Sequence, residues 1–367
     1  MQKEELKRKR NFLFHVGHPA HVHFFKNTIK NLLNKGFEVN ITAMDKEVTI
    51  KLLRNYGFAY SIVGKNVKGL FNKMINSIKI EMNLVKIIKL YNPDLLIGVG
   101  SPYMAHSGAL TGKPYINFGD TEMSKFDFVW TPFTKVLIRP SCYKKEIGRK
   151  EIRYDGYHPL AHLHPNYFTP DTSVLEDIGM TENDDFIILR FISGTASHDI
   201  GLHGIHKDSE IDLVRSLERF GRVFITSEKK LSKEMEKYRI TAPPEKIHSM
   251  LYFSRLYLGD GGTMAVEAAI LGTPSIHVEA TASGKATGET SGVFMELRDK
   301  YDLLYFYPDQ RQGLEKAHEI LNDRNSKKAW QHKRDILIKD KIDVSAWMTD
   351  FIERYPASFE EYIQKMK

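Results

Sequence analysis

The 367-residue sequence contains one cysteine, Cys142. A lone thiol forms no internal disulfide and no cysteine-based metal cluster, which points to a reducing compartment and to Cys142 as a packed or idle thiol rather than a nucleophile. Long apolar runs are also missing. The stretch NFLFHV behind the charged start MQKEELKRKR ends at Gly17 and His18, too short for a signal-peptide core, and no segment approaches the roughly 18 apolar residues of a membrane span. The expectation is a cytoplasmic protein. Low-complexity tracts, short-period repeats, zinc-finger spacing, RNA-binding aromatic motifs and basic zippers are absent, so disorder, solenoids and nucleic-acid partners are set aside.

The composition, 42% hydrophobic and 27% charged with 14 prolines, is that of an ordinary globular chain with a sizeable core. At roughly 100 to 200 residues per domain, the length predicts two domains. A net charge of +7 favours an anionic partner, whether nucleotide phosphate or an anionic membrane surface.

Hydrophobic periodicity supplies the element order. NFLFHV reads as a buried strand, and the helix HFFKNTIKNLLNKG that follows is stopped by Gly36. FEVNITAM is an alternating strand, a helix spans 46 to 56, a short strand lies at 60 to 63, and a long basic helix spans 70 to 90. PDLLIGVG, KPYINFGD and TKVLIRP read as further strands. The turn-rich segment YDGYHPLAHLHPNYFTPD reads as a hinge, where Tyr157, His158, His162 and His164 either line a cleft or pack the hinge itself. The rhythm restarts with FIILRF, a helix at 209 to 220, RVFITS, RLYLGDGG, MAVEAAILG and PSIHVE. After residue 343 comes an amphipathic helical stretch with Trp347, Phe351, Ile352, Tyr355 and Tyr362, divided at Pro356. Strands alternating with helices predict α/β architecture with two doubly wound Rossmann-like domains facing a central cleft. The expected boundaries are 1–157, 158–340 and a C-terminal helix at 341–367 that packs either on its own domain or back on the amino-terminal domain.

Ligands of open α/β sheets bind beyond the carboxyl ends of strands, at turns that lead into helices. RLYLGDGGTMAVEAAILGTPSI has that form. Gly261 and Gly262 allow close backbone approach, Thr263 adds a hydroxyl, and the helix start attracts a diphosphate. Glu267, about one turn on, is positioned to accept hydrogen bonds from ribose; otherwise it is a surface helix residue. A second turn, LRFISGTASHD, offers Ser193, Gly194 and Thr195 to the same diphosphate, with Arg190 or His198 adding charge. In TASGKATGE, Lys285 could reach a phosphate, or the loop is simply surface. In HVGHPAHVHFF, the spacing of His15, His18, His21 and His23 does not set ligands on one helical face, and no carboxylate cluster accompanies them, so no metal is expected. Gly17 then opens the turn and His21 faces the cleft. NFGDTEMSKF offers Asp120 and Glu122 as catalytic acids or bases, in competition with His21. No DxD motif ends a strand, which favours chemistry without a metal. The helix GLFNKMINSIKIEMNLVKIIKL mixes Lys73, Lys79, Lys86 and Lys89 with apolar residues; it either packs on the core with a solvated lysine face or rests on anionic lipid at the inner face of a membrane.

The string GDGGTMAVEAAILGTPSI resembles the donor-site signature of GT-B glycosyltransferases. It is similar to that of the peptidoglycan lipid-intermediate N-acetylglucosaminyltransferase and of the non-hydrolysing UDP-N-acetylglucosamine 2-epimerases. As a whole the chain resembles the family called domain of unknown function 354. The resemblance implies a GT-B fold, a glycine and hydroxyl turn on the diphosphate, a helix glutamate on ribose, and a glycine loop ending in His21, although Pro19 and Ala20 stand where that transferase family has glycines. It implies a transferase that uses a nucleotide-diphosphate sugar, UDP first among the bases, with no separate cofactor and a glycan or lipid-linked acceptor of the cell-surface polysaccharide kind. The alternatives are a UDP-N-acetylhexosamine 2-epimerase, although the loop Gly98-Val99-Gly100-Ser101-Pro102 lacks the aspartate of those enzymes, and a non-catalytic nucleotide-sugar-binding protein.

Overall fold

The structure is a computed structural model, and it describes residues 9–65, 67, 69–120, 122, 127–192, 204–205, 209–227 and 230–365. The chain forms two compact units: one of 1–141, 145–162 and 343–367, the other of 142–144 and 163–342. No helix among the described residues is long and apolar enough to cross a membrane.

The first unit runs β1 (Asn11–Val16), α1 (Pro19–Asn34), β2 (Glu38–Asp45), α2 (Glu47–Asn55), β3 (Ser61–Lys65), α3 (Leu70–Tyr91), β4 (Leu95–Val99), α4 (Pro102–Thr111), β5 (Tyr115–Phe118), α5 (Asp127–Trp130), β6 (Val136–Pro140) and β7 (Glu151–Tyr154), and then α6 (Leu160–Leu163). Its seven strands pair in the order β3-β2-β1-β4-β5-β6-β7, all parallel. Parallel sheets are covered on both faces, and their central strands therefore read as unbroken apolar runs. All six residues of β1 are buried. Two of these elements carry weak signals in the sequence. The small residues of α4 give little periodicity, and the helix is fixed instead by Ser101, whose hydroxyl accepts from Met104 N, and by left-handed Gly112. The edge strand β7 carries charges, with Glu151 buried against Arg153 Nε at 3.0 Å.

Helices form a layer on each face of this sheet. α1 packs on α2, while α3 packs on α4 and α4 on α5, the arrangement that right-handed crossovers on either side of β1 require. Phe14, Phe24, Phe25 and Phe118 interlock under α1, with the Phe14 and Phe25 rings 5.2 Å apart. Beneath α3, the residues Ile80, Leu84 and Ile88 pack with Leu13, Leu96 and Tyr115. The chain's last helices, α14 (Val344–Arg354) and α15 (Ala357–Lys365), belong to this unit and part at Pro356. Asn27 Nδ2 of α1 and Ser345 Oγ of α14 both donate to the Ala161 carbonyl, at 2.8 and 2.7 Å.

The second unit contains α7 (Ser173–Asp177), β8 (Phe186–Phe191), α8 (Glu210–Leu217), β9 (Arg222–Ser227), α9 (Ile247–Phe253), β10 (Leu256–Gly259), α10 (Gly262–Ile270), β11 (Ser275–Val278), α11 (Gly292–Asp299), β12 (Leu304–Tyr307), α12 (Gln310–Asn322) and α13 (Ser326–Asp340). Its parallel sheet has the order β12-β11-β10-β8-β9.

Met348 of α14 is fully buried. Met348→Ala is expected to lower unfolding stability by about 2–5 kcal/mol through the cavity it leaves, as measured by chemical denaturation.

Candidate functional site

Each sheet reverses its strand order once, between β1 and β4 in the first unit and between β8 and β10 in the second. At such switch points the flanking connections leave to opposite faces and open a crevice at the strands' carboxyl ends. Most of the described candidate residues gather at these two places.

In the second unit, Gly259 ends β10 and Gly261 caps α10 without any side-chain bond to the helix. The glycines answer a close approach by Arg190. A Cβ on Gly259 would lie 2.6 Å from Arg190 Cβ, and one on Gly261 would lie 2.8 Å from Arg190 Cγ. Gly262 differs, since a Cβ there would meet ordinary contacts alone, Phe294 at 3.5 Å and His277 at 4.0 Å. The Arg190 guanidinium donates to Thr226 Oγ1 at 2.9 Å, so it braces β8 against β9. Thr263 is exposed at the helix start. The first intrahelical bond is Ala265 N to Gly261 O, so the amides of Gly262, Thr263 and Met264 precede the α10 ladder and point outward. An uncapped start of this kind favours a bound anion by about 0.3–1 kcal/mol from the dipole alone.

Three further residues, none of them among the candidates, belong to this site. Asp260 is buried, and its Oδ1 accepts from Ile192 N at 2.7 Å, latching the turn after β8 to the turn after β10. His277 on β11 is buried with its Cε1 4.0 Å from a Cβ position on Gly262. Its Nε2 lies 3.2 Å from Thr287 Oγ1, while its Nδ1 has no hydrogen-bond partner among the described residues. The third is His248 of α9. Glu267 is buried rather than on the surface, and its Oε1 lies 3.2 Å from His248 Nε2. The signals for Asp260 and His277 were present in GDGG and in PSIHVE, adjoining the glycine turn; nothing marks His248 in sequence, because only the packing of α9 on α10 brings it to Glu267.

Lys285 is exposed, and its carbonyl accepts from Thr281 N at 2.8 Å to close a tight turn at the tip of the 281–289 loop. No described contact brings its ammonium to α10. Ser193, Gly194, Thr195 and His198 lie outside the described residues.

In the first unit the register aligns His15 with Gly98 and Gly98 with Asn117, so Gly17, Gly100 and Gly119 follow neighbouring strand ends. The four histidines have separate partners. His15 is buried, with Nδ1 3.1 Å from Thr42 Oγ1. His18 caps α1 by accepting from Ala20 N, and His23 Nδ1 lies 3.2 Å from Tyr56 OH. His21 faces the strand ends: its Nδ1 accepts from Gly17 N at 3.3 Å, and its Nε2 lies 3.7 Å from Asp120 Oδ2. Desolvation raises the Asp120 carboxyl, but the His21 imidazole 3.7 Å away and the charge of His158 outweigh it and hold the group below the ordinary carboxylate range. Asp120 is therefore ionised near neutral pH. His158 stacks on Phe24 at 4.3 Å and donates from Nε2 to the Gly119 carbonyl at 3.0 Å. The structure thus joins His21 to Asp120. Glu122 accepts instead from Lys145 N at 3.2 Å, on the loop into β7.

Two further backbone features serve the same spot. Gly100 has φ +50, and a Cβ there would lie 3.8 Å from Asp120 Oδ1. Asn117 Oδ1 accepts from Gly100 N at 2.7 Å and from Tyr115 OH at 2.8 Å, while its buried Nδ2 has no partner among the described residues.

The family described as "Protein of unknown function (DUF354)" matches residues 12–287. The chain belongs to that DUF354 family. Among curated proteins it is similar to the uncharacterised protein MJ0665 of Methanocaldococcus jannaschii, at 27% identity over 270 residues that cover 70% of this chain and 78% of the relative. Among solved structures it is similar to the UDP-GlcNAc 2-epimerase of Neisseria meningitidis bound to UDP-GlcNAc (TM-score 0.63, 11% identity, 94% of this chain and 100% of the other). It is also similar to MurG of Acinetobacter baumannii (TM-score 0.57, 13% identity, 94% and 99%). At such identities the likeness shows the fold, and the fold of this DUF354 protein is GT-B.

Two outcomes test this description. Gly259→Ala is expected to cost unit 2 about 1–3 kcal/mol, because backbone and Arg190 must move, whereas Gly262→Ala leaves the melting curve unchanged. The second concerns acid. Burial, with the nearby His21, lowers His15 to about 3; burial lowers His158 to about 4 despite Asp120 and the Gly119 bond. Unfolded histidine titrates near 6.5, so between about pH 6.5 and pH 4 the unfolded chain binds protons that the folded chain refuses. Stability therefore falls as pH drops through that window, by up to about 1.4 kcal/mol per pH unit for each histidine. A pH series of denaturation curves should show this fall, and His158→Phe should flatten part of it.

Proposed function

We propose that this protein is a metal-independent glycosyltransferase that moves a sugar from a nucleotide-diphosphate donor to a glycan or lipid-linked acceptor. The observation that carries the reading is the accessible start of α10 at the second sheet's switch point, which no described side chain caps, with Nδ1 of buried His277, without a hydrogen-bond partner among the described residues, beside it. The diphosphate leaving group gains charge as the anomeric C–O bond breaks, and the outward amides of Gly262, Thr263 and Met264 with the Thr263 hydroxyl are suited to receive it. Glu267, steadied by His248, accepts from the ribose hydroxyls.

For the base, this reading names His21 of the first unit. Asp120 favours the His21 tautomer with its proton on Nε2, which leaves the Nδ1 lone pair held only by a long 3.3 Å contact from Gly17. In this reading the acceptor hydroxyl gives its proton to Nδ1, its oxygen bonds to the anomeric carbon, and the electron pair of the broken bond leaves with the diphosphate. UDP is the preferred carrier, because the structurally similar Neisseria enzyme is one bound to UDP-GlcNAc.

Epimerisation of a UDP-N-acetylhexosamine is the second reading, favoured by the higher structural likeness to the Neisseria epimerase than to MurG. It would draw its acid and base from Asp120 and Glu122. The bond from Lys145 N to Glu122 and the missing aspartate at residues 98–102 weigh against it.

Calorimetry with UDP-, GDP-, CDP- and dTDP-sugars tests the donor site. A UDP-sugar is expected to bind, with Glu267→Ala weakening it about tenfold, or about 1.4 kcal/mol. If no nucleotide sugar binds, the reading fails. His21→Ala should keep donor binding and lose about 10²–10⁴-fold in turnover. NMR of the protein with UDP-GlcNAc alone distinguishes the rival, since a change at C2 without any acceptor would establish epimerisation. Donor binding with no turnover under any acceptor would favour a nucleotide-sugar-binding protein.

The same proposal includes peripheral membrane contact through α3. While Ile80, Leu84 and Ile88 face the core, the outer side exposes Met74, Ile75, Ile78 and Met82 beside Lys79, Lys86 and Lys89. A solvated helix face would not ordinarily carry four large apolar side chains, whereas one resting on anionic lipid would. Flotation with vesicles containing phosphatidylglycerol at low salt is expected, and Met82→Glu should abolish it.

A further inference from the structure

Most of the exposed large apolar side chains among the described residues lie on a single helix layer of the first unit, on α3, α4, α5 and the turn after α5. His106 of α4 ties this layer together: Nδ1 lies 2.7 Å from Glu81 Oε1 of α3, Nε2 lies 3.1 Å from the Val129 carbonyl of α5, and the ring packs on Phe133 at 5.0 Å. At the edge of the layer is a pocket of about 500 Å³, walled by Phe128, Pro132, Leu137 and Ile147. That volume lies within the usual range of small-ligand sites.

The polar groups around the pocket are engaged in the protein's own structure. Lys150 Nζ donates to the Pro132 and Thr134 carbonyls at 3.2 and 3.1 Å. Buried Glu151 accepts from Ile147 N at 2.6 Å and from Arg153 Nε at 3.0 Å. The walls that remain are apolar and suit an occupant that needs no hydrogen bonds, which disfavours a peptide strand with its amides and carbonyls. Two features at the mouth define the occupant further. Phe128 is 72% exposed, a large ring left in water at the lip, and Arg149 is an exposed cation with no ion pair among the described residues. Glu146 is the exposed acid of the same loop, so the mouth is not uniformly positive.

We infer that this pocket binds one hydrocarbon chain of an anionic lipid, with the headgroup on Arg149. The inference rests on the membrane contact proposed for α3 and deepens it: the helix face meets the bilayer surface, and the pocket draws a single chain from it. It does not depend on sugar transfer.

The full chain would be titrated with 11-(dansylamino)undecanoate, a fluorescent fatty acid. Saturable binding of one probe per chain with a blue-shifted emission is expected. Thr131→Trp, which narrows the pocket, and Arg149→Glu should each weaken it at least about tenfold, and the uncharged amide of the probe should bind as weakly to the natural protein. Phe128→Ala, at an exposed position, provides a second wall variant whose fold is readily checked by circular dichroism. Absence of saturable binding, uptake of many probes per chain, or affinity unchanged in folded Thr131→Trp and Phe128→Ala would overturn the inference. Flotation separates it from the α3 reading: Met82→Glu should lose vesicles but keep the probe, whereas Thr131→Trp should keep vesicles and lose the probe.

Discussion

The close passage of Arg190 beneath Gly259 and Gly261 is the constraint on which the second unit's site depends. It lets β8 and β10 end side by side at the switch point, with the Arg190 carbonyl taking the Asp260 amide and the Asp260 carboxylate taking the Ile192 amide. Because those groups are spent on each other, the turn after β10 is held without using the first amides of α10. Those amides stay aimed outward, and the dipole of a nine-residue helix stands behind them. The glycine pair thus divides its work: Gly261 serves packing, and Gly262, whose added Cβ would meet only ordinary contact, opens the helix start.

The sequence is most legible where burial and periodicity agree. Strands such as NFLFHV and FIILRF are apolar throughout because parallel central strands are covered on both faces, and the glycine turn announced a strand end followed by a helix. Legibility failed where a side chain's role is set by a distant neighbour. Glu267 could be read as a ligand for ribose or as a surface residue; its burial against His248 follows from α9 lying on α10, which no local pattern encodes. Glu122 and Asp120 are two residues apart on one loop, yet one bonds the loop into β7 and the other bonds His21. Arg190 reads as a free cation for phosphate in sequence, whereas in the fold its guanidinium braces β9. The outer face of α3 was ambiguous for the opposite reason: period alone marks two faces but does not say which of its apolar residues the core leaves uncovered.

A common device recurs in both units. Asp120 with His21, Glu267 with His248 and Glu279 with His277 each set a carboxylate against an imidazole, at 3.7, 3.2 and 3.5 Å, near the carboxyl ends of strands. A lysine or arginine in the same place would fix a permanent positive charge and leave little scope for proton transfer. An imidazole instead presents two ring nitrogens, and the carboxylate beside it orients the ring and selects the tautomer. On the proposed reading, such oriented rings beside the α10 start would meet the charge of a departing diphosphate. Placing the histidines on packed elements, with His277 on a strand and His248 on a buried helix, also means that little side-chain reorganisation accompanies the change in charge.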